Sequence, residues 1–292
     1  MIRVYLEGSA GIGRQDHQNA MYRPAFAAHP AFELVTDKDK ADVVSVAVAL
    51  DRRAETIADA IRAGKHVLAD KPLAATLAEC EEIGRLAAER GVLVVPAHHQ
   101  RFSPALRSAA TAVRGGRVGL PWNVQCDFLV AGGDPAPTGE LVNLALYPID
   151  VVHAMLGLPV RRVHAVGDPD LVTLLVDHEH GVTSTILCGR IAELADVRSS
   201  GLAVHRYRVS GSHGVLAVDA AKPALRVSTA AGTTGRWTGP STVDALLDVL
   251  AAGVRTGRAA LGVADAVHAQ RVVEAAQLSL DTGAPVPLES EN

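Results

Sequence analysis

Hydrophobic positions along the chain follow two regimes. Up to about residue 115, short unbroken apolar runs alternate with stretches in which apolar residues recur every three to four positions. That is the pattern of strands buried on both faces of a parallel sheet with helices between them. It predicts strands at residues 2–6, 43–48, 66–69 and 92–96. Helices are predicted from the first glycine-rich turn to about residue 28, over 54–63 with Gly64 free to take positive φ, and over 105–114. Another begins at Thr76, where Thr76 and Glu79 form a capping-box signature, and ends before Gly91. From Trp122 the period changes to two, predicting strands at 124–128, 162–166, 171–176, 182–187, 205–210, 215–219 and 225–228. Residues 177–181 read as a hairpin connection and 232–239 as a loop, with closing helices at 242–255 and 263–280. The fold class is therefore α/β. A shortened, Rossmann-like parallel sheet occupies residues 1–118, and a C-terminal α+β domain with an open, mainly antiparallel sheet occupies 119–292. The C-terminal helix is available to pack back on the first domain.

One segment resists this scheme. Residues 32–37 read as a second strand ending in Asp37, at a distance from the glycine turn that suits a carboxylate gripping an adenosine ribose. Only a few residues then precede the next strand. Crossing back along a parallel strand covers roughly 17 Å plus sideways steps of about 5 Å, and five residues extend to about 17 Å. The segment is therefore expected to be very short or antiparallel, or the βα unit that forms a sheet edge is missing.

Composition narrows the class. The chain has 292 residues, 48% of them hydrophobic, which is enough for two cores and excludes a disordered protein. A net charge of −4 provides no basic field for nucleic acid or an anionic membrane surface. Cys80, Cys126 and Cys188 lie far apart without metal or disulfide spacing, as suits a reducing cytoplasm. Neither a signal peptide nor a membrane span is indicated.

Candidate chemistry gathers where the parallel strands end. In open α/β sheets, ligands bind outside the carboxyl ends of strands. The 66–69 strand delivers Asp70-Lys71-Pro72 to that edge, and the 92–96 strand delivers His98, His99, Gln100 and Arg101. The turn after the first strand, Gly8-Ser9-Ala10-Gly11-Ile12-Gly13, resembles a dinucleotide-binding turn with its middle glycine replaced by Ala10. The two histidines have no third ligand at metal spacing, so they are expected to line a pocket rather than hold a metal. Further on, residues 139–157 read as an amphipathic helix. There Asn143 and Tyr147 lie four apart and Asp150 three further, so their polar ends can converge. Pro148 would kink that helix or begin a turn.

Together these motifs resemble the glucose-fructose oxidoreductase / inositol dehydrogenase / rhizopine catabolism family. AGKHVLADKPLA is similar to the family's AGKHVLxEKPLA, PAHHQRFSPA to its xGHNxRFxPA, and GELVNLALYPIDVVHAMLG to its GGxLxDxGxHxxDxxxxLxG. The resemblance implies an N-terminal Rossmann domain and a C-terminal sheet that is often used for homo-oligomer contacts. It implies NAD or NADP as cofactor, with Gly8, Ala10, Gly11, Ile12, Gly13, Asp37, Val48, Asp70 and Lys71 on the cofactor side. Lys71 would polarise or protonate the reacting oxygen, and Tyr147 stands at the usual catalytic histidine position. A phenol with a reference pKa of about 10 needs a nearby cation to ionise usefully, a part this reading gives to Lys71. His98, Arg101, Asn143 and Asp150 would face the substrate. Asn143 replaces the family's Asp, and Val48-Ala49 and Arg53 replace its TPxxxH segment.

The resemblance implies hydride transfer between a nicotinamide and a secondary alcohol, ketone or imine of a small, polar, sugar- or cyclitol-like substrate. Because the departures cluster on the cofactor side, a rival reading is a non-redox isomerase, lyase or cyclase using Lys71 and Tyr147 for proton transfer. A third is a silent partner that oligomerises with an active relative.

Overall fold

A computed structural model describes residues 1–9, 16–192, 201–221, 225–229, 232–236 and 241–288. In chain order the elements are β1 (Ile2–Glu7), a π-helical turn (Gln18–Tyr22) running into α1 (Arg23–Ala28), β2 (Phe32–Val35), β3 (Val43–Val46), α2 (Leu50–Arg62), β4 (His66–Ala69), α3 (Leu77–Arg90), β5 (Val94–Pro96) and α4 (Pro104–Arg114). There follow β6 (Pro121–Ala131), α5 (Gly139–Leu144), α6 (Leu146–Leu156), β7 (Val160–Asp168), β8 (Leu171–His178), β9 (Thr183–Ile191), β10 (Gly201–Gly211) and β11 (Gly214–Asp219). The last elements are β12 (Leu225–Thr229), β13 (Gly232–Arg236), α7 (Thr242–Thr256), α8 (Val263–Thr282) and β14 (Val286–Pro287).

Two units result. Unit 1 comprises residues 1–99 and 241–271, and unit 2 comprises 100–240 and 272–292. The boundary thus falls before α4, not at residue 118, because α4 packs on α6 inside unit 2. Residues 241–271, expected in the second domain, belong to unit 1, where Ala266 joins the core beneath α2 and α3.

Unit 1 holds a five-stranded parallel sheet in the order β2-β1-β3-β4-β5. All four residues of β3 are buried, as their continuous apolar character predicts for a strand covered on both faces. Val44, Val46, Ile57, Ile61, Val67, Cys80 and Ile83 form one cluster of its core. The Thr76 and Glu79 capping box is in place: Glu79 N donates to Thr76 Oγ1 at 3.2 Å and Thr76 N to Glu79 Oε2 at 3.0 Å. The helix it opens closes on Gly91 in the left-handed region.

The second-strand problem is solved by stagger. β2 has only four residues and is parallel, not antiparallel; it pairs with Ile2 to Tyr5 of β1, whereas β3 pairs with Val4 to Glu7 on the other side. The end of β2 therefore lies nearly level with the start of β3. The connection moves sideways across β1, roughly 10 Å, and a single 3-10 turn at Lys38–Lys40 suffices where a doubly wound sheet ordinarily has a helix.

Unit 2 contains a seven-stranded sheet ordered β11-β10-β6-β9-β8-β7-β14, antiparallel except for the β6–β9 pair. Residues 232–236, read from sequence as loop, form β13 and pair antiparallel with β12. The apolar alternation that would mark a strand is missing from this glycine- and threonine-rich stretch, and its pairing is a matter of backbone register. The expected helix over 139–157 is two helices with the break at Ala145. Pro148 offers no N–H to the carbonyl of Leu144, four residues earlier, so the ladder gives way there. Among the described residues, no helix is long and apolar enough to cross a membrane.

The capping box gives this description a test. Thr76→Ala removes one of its two reciprocal bonds and is expected to lower stability by about 1 kcal/mol, read as a lower urea midpoint with an unchanged slope.

Candidate functional site

The carboxyl ends of β1, β3, β4 and β5 gather the candidate residues of unit 1. Gly8, directly after β1, has φ +75°, and a Cβ there would stand 2.6 Å from both the Ala47 carbonyl oxygen and Val48 Cγ1. Only glycine lets the backbone turn this close to the end of β3. Ala10, Gly11, Ile12 and Gly13 lie outside the described residues. Asp37 sits in the exposed turn after β2, where its carboxylate accepts from Asp39 N at 3.1 Å and pairs with Lys40 at 3.2 Å; the hydrogen bond from Lys40 keeps its pKa low.

β4 delivers Asp70 and Lys71 into the interior, with only 1% and 3% of their surface exposed. The Lys71–Pro72 peptide is cis. Asp70 meets two side chains from the segment that follows the glycine turn: Tyr22 Oη donates to Oδ1 at 2.7 Å, and His17 Nδ1 lies 3.0 Å from Oδ2. Arg53 points inward and is wholly buried. Its Nη1 donates to the carbonyls of Asp70 (3.3 Å) and Pro72 (2.6 Å), its Nε and Nη2 to that of Val48 (3.2 and 2.8 Å), and Nη2 lies 3.7 Å from Asp70 Oδ2. Burial alone would push the Asp70 carboxyl up, but the His17 hydrogen bond and the charges of His17, Arg53 and Lys71 outweigh it and hold the group at about 2.

His98 and His99 follow β5 and are both buried. Burial, together with the charge of Lys71, pushes His99 down to about 3, so its ring is neutral at physiological pH. Its Nδ1 lies 2.7 Å from Thr242 Oγ1, a contact supplied by α7. The structure thus brings Gly8, Val48, Asp70, Lys71 and His98 to one sheet edge. His99, read from sequence as a pocket-lining residue, stands beside His98, and the structure adds His17, Tyr22 and Arg53, to which sequence reasoning gave no part in the site's chemistry.

The remaining predicted residues belong to unit 2. Arg101 and Asp150 hold each other in a two-pronged ion pair, with Arg101 Nε donating to Asp150 Oδ2 at 2.6 Å and Nη2 to Oδ1. Asp150 is almost fully buried, so its carboxylate orients Arg101. Asn143 donates to Glu140 Oε2 at 2.7 Å. Glu140 is itself buried and accepts from Ala136 N at 3.0 Å and Arg190 Nε at 2.6 Å, which ties Asn143 into a network bracing the loop after β6. Tyr147 is buried with its ring 5.8 Å from that of Phe128.

A family model described as an oxidoreductase family with an NAD-binding Rossmann fold matches residues 10–98. A 1,5-anhydro-D-fructose reductase of Ensifer adhaerens is 44% identical over 89 residues, 30% of this chain and 26% of that protein. A dTDP-3,4-didehydro-2,6-dideoxy-alpha-D-glucose 3-reductase of Actinomadura kijaniata is 29% identical over 203 residues, 63% of this chain and 60% of that one. The chain therefore spans less than two thirds of the length of these curated relatives. The crystal structure of a scyllo-inositol dehydrogenase from Lactobacillus casei with bound NAD(H) and scyllo-inositol superposes with a TM-score of 0.77 at 16% identity, over 98% of this chain and 99% of that one, a likeness of fold.

The low Asp70 value fixes a sign for acid stability. A carboxyl held at about 2 in the folded chain and near 3.8 when unfolded contributes stability that is complete above 3.8 and lost as the pH falls through 2. The contribution is about 2 kcal/mol. Asp70→Asn is expected to destabilise by about that amount at pH 7, with the gap between the two proteins closing as urea unfolding is repeated from pH 5 down to pH 2.

Proposed function

We propose that the chain is a member of the glucose-fructose oxidoreductase / inositol dehydrogenase / rhizopine catabolism family and an NAD(P)-dependent oxidoreductase acting on a carbinol or carbonyl carbon of a small sugar- or cyclitol-like molecule. The observation that carries this reading is the burial of the Lys71 ammonium at the carboxyl edge of the parallel sheet, one residue past a carboxylate held ionised. A lysine is seldom buried without a function or a counter-charge, and this one stands where open α/β sheets bind ligands.

The backbone at Gly8 fits a dinucleotide. Its positive φ and the contact a Cβ would make with Ala47 and Val48 leave a bare turn at the end of β1, the feature that lets main-chain amides approach a phosphate. Gly8 and Val48 are assigned to the cofactor on that basis; Ala10, Gly11, Ile12 and Gly13, and Asp37 on the ribose side, are assigned to it on the family likeness. When bound, the nicotinamide supplies or accepts the hydride. Lys71 Nζ hydrogen-bonds the substrate oxygen, stabilises the charge that develops on it and passes it a proton. His99, neutral at physiological pH, and His98 line the same edge. Tyr147, as second proton-handling group, and Arg101 with Asn143 and Asp150, as substrate-side groups, are assigned on the family likeness. The relatives named above are reductases and dehydrogenases of sugars and cyclitols, and they lend the non-redox alternative no support.

Fluorescence titration with NADH and NADPH is expected to show saturable binding of at least one; no binding of either at millimolar concentration overturns the proposal. With 1,5-anhydro-D-fructose, myo-inositol and scyllo-inositol as probes, Lys71→Ala is expected to lower kcat by about 100-fold or more while nucleotide affinity stays within a few-fold. Tyr147→Phe should also lower kcat, and intact turnover in both variants removes the assignment of these side chains.

A further inference from the structure

Lysine is a poor choice for a fixed proton donor unless something holds it, because four rotatable bonds give its ammonium wide freedom. A misplacement of 1 Å costs about 100-fold in rate. The surroundings of Lys71 answer this need from two directions. Arg53 Nη1 donates to the carbonyls of Asp70 and Pro72, the residues on either side of Lys71. The other edge of the same guanidinium donates to the carbonyl of Val48. One rigid fork thus ties the exit of β3 to both flanks of Lys71.

The second hold acts on the Asp70 side chain. His17 and Tyr22 grip its two oxygens, one each, although they are five residues apart. In an α-helix, neighbours on one face are three or four apart. Here the chain runs through a π turn, with Arg23 N bonded to Gln18 O, so five residues make one turn and both side chains face Asp70. Gln18, fully buried inside that turn, anchors it to the sheet. Its Nε2 donates to the carbonyls of Ser45 (2.7 Å) and Glu7 (3.4 Å), and its Oε1 accepts from Ser45 Oγ at 2.9 Å.

We infer that Arg53, Asp70 and the π-turn pair His17 and Tyr22 are positioning residues for the Lys71 ammonium: a two-sided clamp that acts without touching the substrate. This rests on the oxidoreductase reading for what Lys71 does, though not for how it is held. The arginine reaches three carbonyls at once.

The chain has five lysines, so the Lys71 signal can be followed by NMR in full-length apoprotein carrying 13Cε-labelled lysine and assigned with Lys71→Arg. Two variants probe the clamp: Tyr22→Phe removes one hydroxyl and no charge, and Arg53→Lys keeps the charge and loses the fork. The expected result is a displaced and broadened Lys71 resonance with an altered titration midpoint in both. With NADH or NADPH and the substrate probe that the unaltered protein turns over, kcat should fall about tenfold or more with KM within twofold. A Lys71 resonance and midpoint indistinguishable from the unaltered protein in a folded Tyr22→Phe variant overturns the clamp, and so does an unchanged kcat. Tyr22→Phe decides if Arg53→Lys fails to fold by circular dichroism. Absence of nicotinamide binding by the unaltered protein would sink the oxidoreductase reading alone, and the Lys71 titration would still decide the clamp.

Discussion

A carboxylate removed from water has to be answered by donors, and the answer given to Asp70 organises the sheet edge of unit 1. An isolated buried charge is costly, and breaking one side of a buried pair typically costs about 3–5 kcal/mol. Asp70 therefore dictates its neighbours: a phenol and an imidazole from one turn of the chain and a guanidinium from another part of the sequence. The bonds from His17 and Tyr22 that satisfy the charge also fix the residue next to Lys71. Stability and chemistry are usually separable demands on a protein, and here they coincide in one carboxyl group.

The stagger between β2 and β3 is a second economy. A doubly wound sheet ordinarily spends a helix on each return, but displacing the two partners of β1 along its length removes the need to return at all. The cost is a shorter edge strand. The benefit is that the ends of β1 and β3 stay level with each other, and so Gln18 reaches both Glu7 and Ser45 from one position.

Much of this was legible in the residues themselves. Burial on both faces of a strand leaves an unbroken apolar run, so β1, β3, β4 and β5 announced themselves, and Thr76 with Glu79 marked a helix start that the coordinates bear out. Lys71 was found because a lysine after a buried strand has no solvated face to occupy. What stayed hidden depended on geometry without a sequence period. The stagger changes no residue type, only register. His17 and Tyr22 escaped because a spacing of five belongs to no regular helical face, and the π turn that makes it one has no compositional mark. β13 escaped because its residues lack an apolar face, and chain order conceals how much of the C-terminal region besides its last helix, from residue 241 onward, joins unit 1.

That last feature bears on how the protein comes to be made. The apolar cluster under α2 and α3 is completed by Ala266, with Val263 and Val267 packed against it, yet these follow every strand from β6 to β13 in the chain. Domains commonly fold as units while synthesis proceeds from the N-terminus. During translation the first sheet must wait, one flank wet, until unit 2 has emerged. A chain interrupted anywhere between α4 and α7 would leave that cluster without Ala266, Val263 and Val267, a surface for chaperones to shield and for aggregation to exploit.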